Sequence, residues 1–370
     1  MVERVINGNA AAEKLRDRVA GRNIILDCVK GVAIVLVVFG HEIETYFHWH
    51  SVSGSARGLW YWAAIHHFHM ALFIFISGYL AFGKLDFKYL QRRSLQLIPA
   101  FILWSIVLYY CSTFWFTGLR DVYPVKTSLI YSLPYCLWSL DLSGLWFLPL
   151  LLALYFIAYA GRRHLSIVFG IILLSYMISQ LPWPSWSVFN HQLTKPEWFS
   201  RIAWFMPIFV SGYLVSKYKD RLRKISFIKW FALIAFPVFL ILGGELNYTT
   251  PLYSWPVYTV FTHGDMVFAF YGLLMTFLGI GMVFAIVSLI ARVSYLWRPW
   301  AYLGQITLGI YCGSNLCRNI GIFTGIWWMI SATLISILFS VALIWLLQRF
   351  RITDYIFLGG AQKLVPRETL

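Results

Sequence analysis

Acidic residues are scarce in this sequence. Asp and Glu number 15 in 370 positions, and charged residues of both signs make up 12% of the chain. That is too little polar surface to cover a soluble domain, which excludes that class. Cysteine is nearly as scarce: Cys28, Cys111, Cys136, Cys312 and Cys317, with no paired spacing. A disulfide-built scaffold and the common zinc modules are thereby excluded, and the thiols read as small buried hydrophobes. No polar insertion is long enough for a second, soluble domain, and no internal repeat is visible. The first twenty-odd residues are polar and lack the apolar core of a cleavable signal peptide.

What is abundant is apolar and aromatic. Hydrophobic residues make up 60% and aromatic residues 19% of the chain, including 18 Trp and 22 Tyr, and the mean hydropathy is +0.70. This is the composition of a polytopic membrane protein, with aromatic side chains suited to the membrane–water boundary. The net charge of +15 does not point to nucleic acid, because the basic residues sit in short clusters between apolar runs. The pattern predicts an all-α integral membrane protein: a bundle of about ten transmembrane helices with both termini cytoplasmic. The expected spans lie near 29–47, 59–82, 97–117, 144–161, 165–181, 202–216, 227–244, 266–291, 300–317 and 320–347. With that topology 23 of the 30 Lys and Arg residues face the cytoplasm and 6 face outward, with Lys30 inside the first span. This is the asymmetry expected of inward-facing loops. Residues 1–23 form a cytoplasmic lead-in, 24–348 the membrane domain and 349–370 a cytoplasmic tail. The stretch 127–140, interrupted by Pro134, is expected to be re-entrant or interfacial. The loops 181–201 and 244–266 are long, aromatic and outward-facing, suited either to sugar rings or to an interfacial belt.

The run DCVKGVAIVLVVFGHEIETYFH (27–48) carries ionisable groups where a mere anchor would have none, because each is costly in hydrocarbon. An α-helix advances about 1.5 Å and 100° per residue. Lys30 and His41 therefore share a face about 16 Å apart, with Asp27 on the same side. A histidine in a low-dielectric site can take a proton from a hydroxyl, which makes His41 the candidate base. Glu42 is its neighbour in sequence but about 100° round the helix; Glu44 and Thr45 lie one turn further out. In HHFHMALFIFISGYLAF (66–82), His66 and His69 share a face. Their spacing matches no strong zinc signature, so no metal is expected, and His69 is a candidate substrate contact. In KLDFKYLQRRSLQLIP (84–99), Arg92 and Arg93 lie at the cytoplasmic mouth, where they and Lys30 are candidates to hold the phosphates of a nucleotide-bearing donor. Trp146 and Tyr155 stand out in GLWFLPLLLALYF (144–156). The Ser-Gly-Tyr at 211–213 echoes that at 77–79, and LGQITLGIYCGSNL (303–316) is rich in small residues. Packing is the first reading for these three stretches; Trp146 and Asp27 join His69 as candidate substrate contacts.

In their order and spacing these stretches resemble the membrane-bound acyltransferase family 3, especially its branch similar to fucose 4-O-acetylase. The resemblance spans roughly 24–347 and rests on four stretches in order. These are the basic-x10-His pattern at Lys30 and His41, FHMALFIFISGYL, LWFLPLLLALYF and YLGQITLGIY. It implies an inner-membrane enzyme of bacteria that moves an acetyl or other short acyl group from acetyl-CoA, as co-substrate, to a carbohydrate hydroxyl. The acceptor class it implies is a polysaccharide or lipid-linked glycan. By the same resemblance His41 is catalytic and Lys30 is its partner; Glu42, the carboxylate next to His41 in sequence, is grouped with them. Arg93 matches the first Arg of an Arg-x-x-Arg pattern, whose second position here is Gln96, with Arg92 available to compensate. The histidine that many relatives carry after the last motif is replaced here by CGSNL. No Ser or Cys stands out as an acyl-carrying nucleophile, so direct transfer is the simpler expectation. The alternative reading is a transporter or flippase of a lipid-linked sugar or acyl group, using the same buried charges as a path. A lipid-phosphate-dependent glycosyltransferase is disfavoured, since residues 46–60 contain no acidic residue.

Overall fold

The computed structural model describes residues 23–49, 60–114, 144–180, 186–188, 191–193, 197–222, 227–243, 266–317, 320–322 and 324–360. The expected re-entrant stretch 127–140, all but the last residue of the aromatic loop 244–266 and about half of the loop 181–201 lie outside these residues. So do residues 1–22 of the lead-in and the end of the tail. The described chain is helical apart from one small antiparallel ribbon, in which Trp186–Val188 pairs with His191–Leu193.

Helix α1, Ile24–Trp49, is opened by Asn23, whose side-chain oxygen accepts the Leu26 N–H at 3.3 Å, as an N-cap does. The next span is broken into α2, Trp60–His66, and α3, His69–Ala81. At the break the His67 carbonyl accepts the Thr276 hydroxyl at 2.7 Å, satisfying a backbone group that helix no longer covers. Helix α4, Phe87–Phe114, starts ten residues before the expected span and takes in the basic cluster. Its first turn is capped by Asp86, which accepts the Tyr89 N–H at 2.6 Å. There follow α5, Phe147–Ala160, α6, Leu165–Gln180, α7, Glu197–Lys217, and the single turn α8, Lys219–Leu222. Then come α9, Ile228–Leu242, and α10, Met266–Ile290. The stretch expected as one span at 300–317 is α11, Ser294–Gln305, a break at Ile306, α12, Thr307–Gly313, and a 3-10 turn, Ser314–Cys317. Helix α13, Gly325–Leu347, precedes α14, Arg351–Leu358.

Among the described residues six helical stretches are long and apolar enough to cross a membrane: Ile24–Phe47, Trp60–Ala81, Phe87–Cys111, Trp198–Lys217, Phe270–Ile290 and Gly325–Leu347. The other four expected spans are shorter. Helices α5, α6 and α9 have 14, 16 and 15 residues, about 21–24 Å of helix against a hydrocarbon core about 30 Å thick. The fourth is divided at Ile306. Helix α14 falls in what the sequence presents as a tail. It packs instead against α4, where Trp104 Nε1 donates to the Phe357 carbonyl at 2.9 Å and Leu358 is fully buried.

Helix α1 is the hub, packed on α3, α10, α11, α12 and α13. Two glycine crossings set the approach of the helices. A Cβ at Gly31 would overlap the Trp300 carbonyl, and one at Gly304 would overlap the Asp27 carbonyl, so α1 and α11 meet backbone to backbone. The echoed Ser-Gly-Tyr stretches do the same for α3 and α7: Gly78 sits on the Phe209 carbonyl and Gly212 on the Phe75 carbonyl. Small residues let membrane helices approach this closely. A smaller apolar cluster, including Ile43, Trp62, Ile65 and Trp328, holds the C-terminal half of α1 against α2 and α13.

The crossings predict that Gly31→Leu and Gly212→Leu each destabilise the protein by about 1–3 kcal/mol or more through overpacking. Gly170→Leu, where a side chain meets open space, is expected to leave stability near wild type. Thermal unfolding of the detergent-solubilised variants, followed by tryptophan fluorescence and size exclusion, checks the ranking.

Candidate active site

Each ionisable side chain of α1 from Asp27 to Glu44 has a polar partner. At the N-terminal end Lys30 Nζ lies 2.8 Å from Asp27 Oδ1, one helical turn away. At the other end His41 Nδ1 lies 3.4 Å from Glu44 Oε2, again at i and i+3. The second oxygen of Glu44 reaches across to α2, where His66 Nε2 is 3.5 Å away. His66 Nδ1 donates to the Trp62 carbonyl at 2.8 Å, so a proton is required between its Nε2 and the facing carboxylate. The His66 ring stacks on Trp62 at 4.2 Å and meets the edge of His69 at 4.7 Å. His69 Nδ1 in turn donates to the Ile65 carbonyl at 2.9 Å. The break between α2 and α3 thus sets two imidazoles edge to face beside a carboxylate. A carboxylate on His41 Nδ1 holds the proton there and leaves the lone pair on Nε2, the arrangement of a general base. His41 and Glu44 are 28% and 44% exposed, so the pair is open to a reactant.

Glu42, grouped with His41 in the sequence reading, points elsewhere. It is 1% exposed, and the Ser336 hydroxyl lies 2.9 Å from its Oε1 and 3.1 Å from the Cys317 carbonyl. The 100° step between adjacent helical residues turns Glu42 toward α13 while Glu44, three residues on, comes back beside His41. Glu44 and His66 are the members of this cluster that the sequence reading did not select. The i, i+3 spacing from His41 was the available signal for Glu44.

A slot of about 220 Å³ begins at Lys30 and Arg93 and ends at Met70, Phe147 and Tyr311. Along α3 it is lined from Leu80 through Ser77 and Phe73 to Met70, ten residues or about 15 Å. Met70, next in sequence to His69, marks the slot's apolar end, its other end is cationic, and neither His41 nor His69 is among its lining residues. Arg93 is well anchored: Nη1 donates to Gln96 Oε1 at 2.8 Å, and the guanidinium lies 5.0 Å from the Tyr89 ring centroid and 5.8 Å from that of Tyr155. Gln96, where the family pattern has a second Arg, is therefore a holder of the first. Arg92 does not enter the slot. It lines a separate groove of about 310 Å³ with Lys88 and Tyr355, and Gln96 borders both chambers.

Trp146 is not among the slot residues; it packs under the Arg201 guanidinium at 4.5 Å and on Phe205 at 6.0 Å. Asp27, expected as a substrate contact, holds Lys30. Tyr311 of the Gly-rich stretch lines the slot, and its hydroxyl donates to the Gly144 carbonyl at 3.1 Å. That contact fixes the turn before α5, where Gly144 adopts a φ of 77° that favours glycine. Among the described residues no group of three His, Cys, Asp or Glu side chains is arranged to hold a metal ion.

A family model described as an acyltransferase domain, Acyl_transf_3, matches residues 23–349. The chain belongs to this acyltransferase family. Among curated proteins it is similar to the Nodulation protein NolL of Sinorhizobium fredii, with 35% identity over 94 residues, or 24% of each chain. It is also similar to the Nodulation protein NolL of Mesorhizobium japonicum, with 28% identity over 113 residues, or 29% of this chain and 27% of that one. These alignments span about a quarter of the relatives' length. No solved structure matches.

The geometry predicts different losses for the two acidic residues. Ser336→Ala leaves Glu42 buried without its hydroxyl donor and is expected to cost about 1–3 kcal/mol of stability. Glu44→Gln, at a half-open position, is expected to unfold within a few degrees of wild type. Paired melting curves in one detergent test the contrast.

Proposed function

We propose that the protein is a membrane O-acyltransferase that moves an acetyl or other short acyl group from acetyl-CoA to a hydroxyl of a cell-surface or exported carbohydrate. The observation that carries this reading is the slot itself, lined by Lys30 and Arg93 at one end and by Met70 and Phe147 at the other, against the same helix α1 that carries the His41–Glu44 pair. In this reading the chain crosses a bacterial inner membrane ten times with both ends in the cytoplasm, which the skew of Lys and Arg supports. The donor enters from the cytoplasmic side. Lys30 and Arg93 hold phosphate oxygens at the mouth, with Arg92 just outside, because guanidinium and ammonium groups suit that task. The slot admits the slim pantetheine arm, whose extended reach suits the 16 Å between Lys30 and His41 set by helix geometry.

The acceptor, a polysaccharide or lipid-linked glycan, arrives from the opposite side. His41 Nε2 takes the proton of its hydroxyl, and Glu44 on Nδ1 stabilises the imidazolium that forms. The hydroxyl oxygen attacks the thioester carbonyl carbon, the carbon–sulfur bond breaks, and the thiolate takes the proton from His41. The products are the ester and free thiol. His66, sharing Glu44, keeps that carboxylate aimed, and His69, edge to face with His66, meets the acceptor. Trp146 contributes from the neighbouring wall, while Asp27 acts through Lys30 and Glu42 through the position of α1.

The test is thiol release from acetyl-CoA by purified protein in nanodiscs supplied with lipid-linked glycans. His41→Ala is expected to lower turnover by about 10²–10⁴-fold, and Glu44→Gln to fall between it and wild type. Turnover that survives His41→Ala discards this base. A wild-type protein that neither binds nor cleaves acetyl-CoA discards the enzyme reading.

A further inference from the structure

The slot encloses about 220 Å³, too little for a whole acyl-CoA, so on the acyl-CoA reading, on which this inference rests, the nucleotide end of the donor stays outside it. The structure offers a place for it. Gln96 borders the slot on one side and, on the other, the groove lined by Lys88, Arg92, Leu95, Tyr355 and Gly359. Lys88 and Arg92 are one turn apart on α4 and exposed, and neither is ion-paired with a described residue. Facing them, Tyr355 is 49% exposed, an aromatic plane standing beside two cations.

The wall carrying Tyr355 is built rather than draped. Asp354 and Leu358 of α14 are buried, Phe357 is tied to Trp104, and Gly360 N–H returns to the Asp354 carbonyl at 3.1 Å. The Gly359 N–H shares the same carbonyl, and Gly359, at φ 71°, is the left-handed glycine that commonly ends a helix. This ending seats Gly359 directly on Gln96, where any larger residue would clash. The C-terminal helix is thereby fixed to the residue that also holds Arg93.

We propose that the groove between α4 and α14 is a nucleotide subsite, in which Lys88 and Arg92 bind the 3′-phosphate of the donor's adenosine and Tyr355 stacks on the adenine. The diphosphate then lies at the Gln96 threshold, toward Arg93 and Lys30. Two cations on a ribose phosphate make the site selective for a 3′-phosphorylated nucleotide over its dephosphorylated form, and a flat aromatic side chain reads any purine by its face.

The test compares acetyl-CoA with acetyl-3′-dephospho-CoA as donors for the full-length protein in nanodiscs. Wild type is expected to show a KM about tenfold lower for acetyl-CoA, a preference worth about 1.4 kcal/mol. Lys88→Ser with Arg92→Ser is expected to remove that preference by raising the KM for acetyl-CoA alone. Tyr355→Ser is expected to raise both KM values together. Adenosine 3′,5′-bisphosphate should raise the Tm of wild type more than adenosine 5′-diphosphate does, and the double variant should lose the difference. Equal KM values for the two donors in wild type, or a double variant that keeps the preference, overturn the subsite and leave the enzyme reading intact. A wild-type protein inert toward both donors and unshifted by both nucleotides overturns the enzyme reading and the subsite with it.

Discussion

A charged group within a membrane helix has to be answered by another polar group, and this requirement shapes α1 and all that packs on it. Asp27 answers Lys30 one turn away, Glu44 answers His41 one turn away and His66 across the helix break, and Ser336 answers Glu42. The two i, i+3 pairs are poles separated by about 16 Å of helix. Between them the helix buries Ala33, Ile34, Val37 and Val38 in the core and uses Gly31 to lie directly on α11. That crossing holds the depth of Lys30, because Asp27 and Gly31 flank it on the same turn. Partnering the charges and setting the distance between the two ends of the slot are one structural solution.

Much of this was legible in the sequence. The 3.6-residue period put Asp27, Lys30 and His41 on one face, and the order of four stretches carried the family. The paired Ser-Gly-Tyr segments were visible as an echo, although only the fold shows that Gly78 and Gly212 pack on each other's helix. Three features were hidden for physical reasons. Adjacency in sequence favoured Glu42 over Glu44, whereas helix geometry favours the third neighbour. The shortness of helices α5, α6 and α9 was hidden because hydropathy registers apolarity and not where a helix ends. Helix α14 is eight residues long, too short for its amphipathic pattern to stand out from a tail.

The departures from regular helix fall where the protein needs them. The α2–α3 break brings His66 and His69 edge to face and finds its compensating donor in Thr276. The α11–α12 break at Ile306 lies between Gln305 and Thr307, both of which line the slot. Irregular backbone at membrane depth is tolerated where protein or a cavity surrounds it. The short elements and the slot are therefore parts of one arrangement.

That arrangement separates a narrow apolar passage from a wetter polar end. Phe73, Phe147 and Met70 line the passage, while His41 and Glu44, which do not line it, are partly exposed. A thioester drawn through such a passage meets little water until it reaches the base, which guards it against hydrolysis. Proton transfer, by contrast, is served by the exposed carboxylate–imidazole pair, where a hydroxyl can approach. In the acyl-transfer reading, opposite demands on the two substrates are met by placing dry and wet environments at successive depths of one helix. The same logic fits the exposed Lys88 and Arg92 outside the slot: on that reading a nucleotide needs water and positive charge, and the acyl arm needs neither.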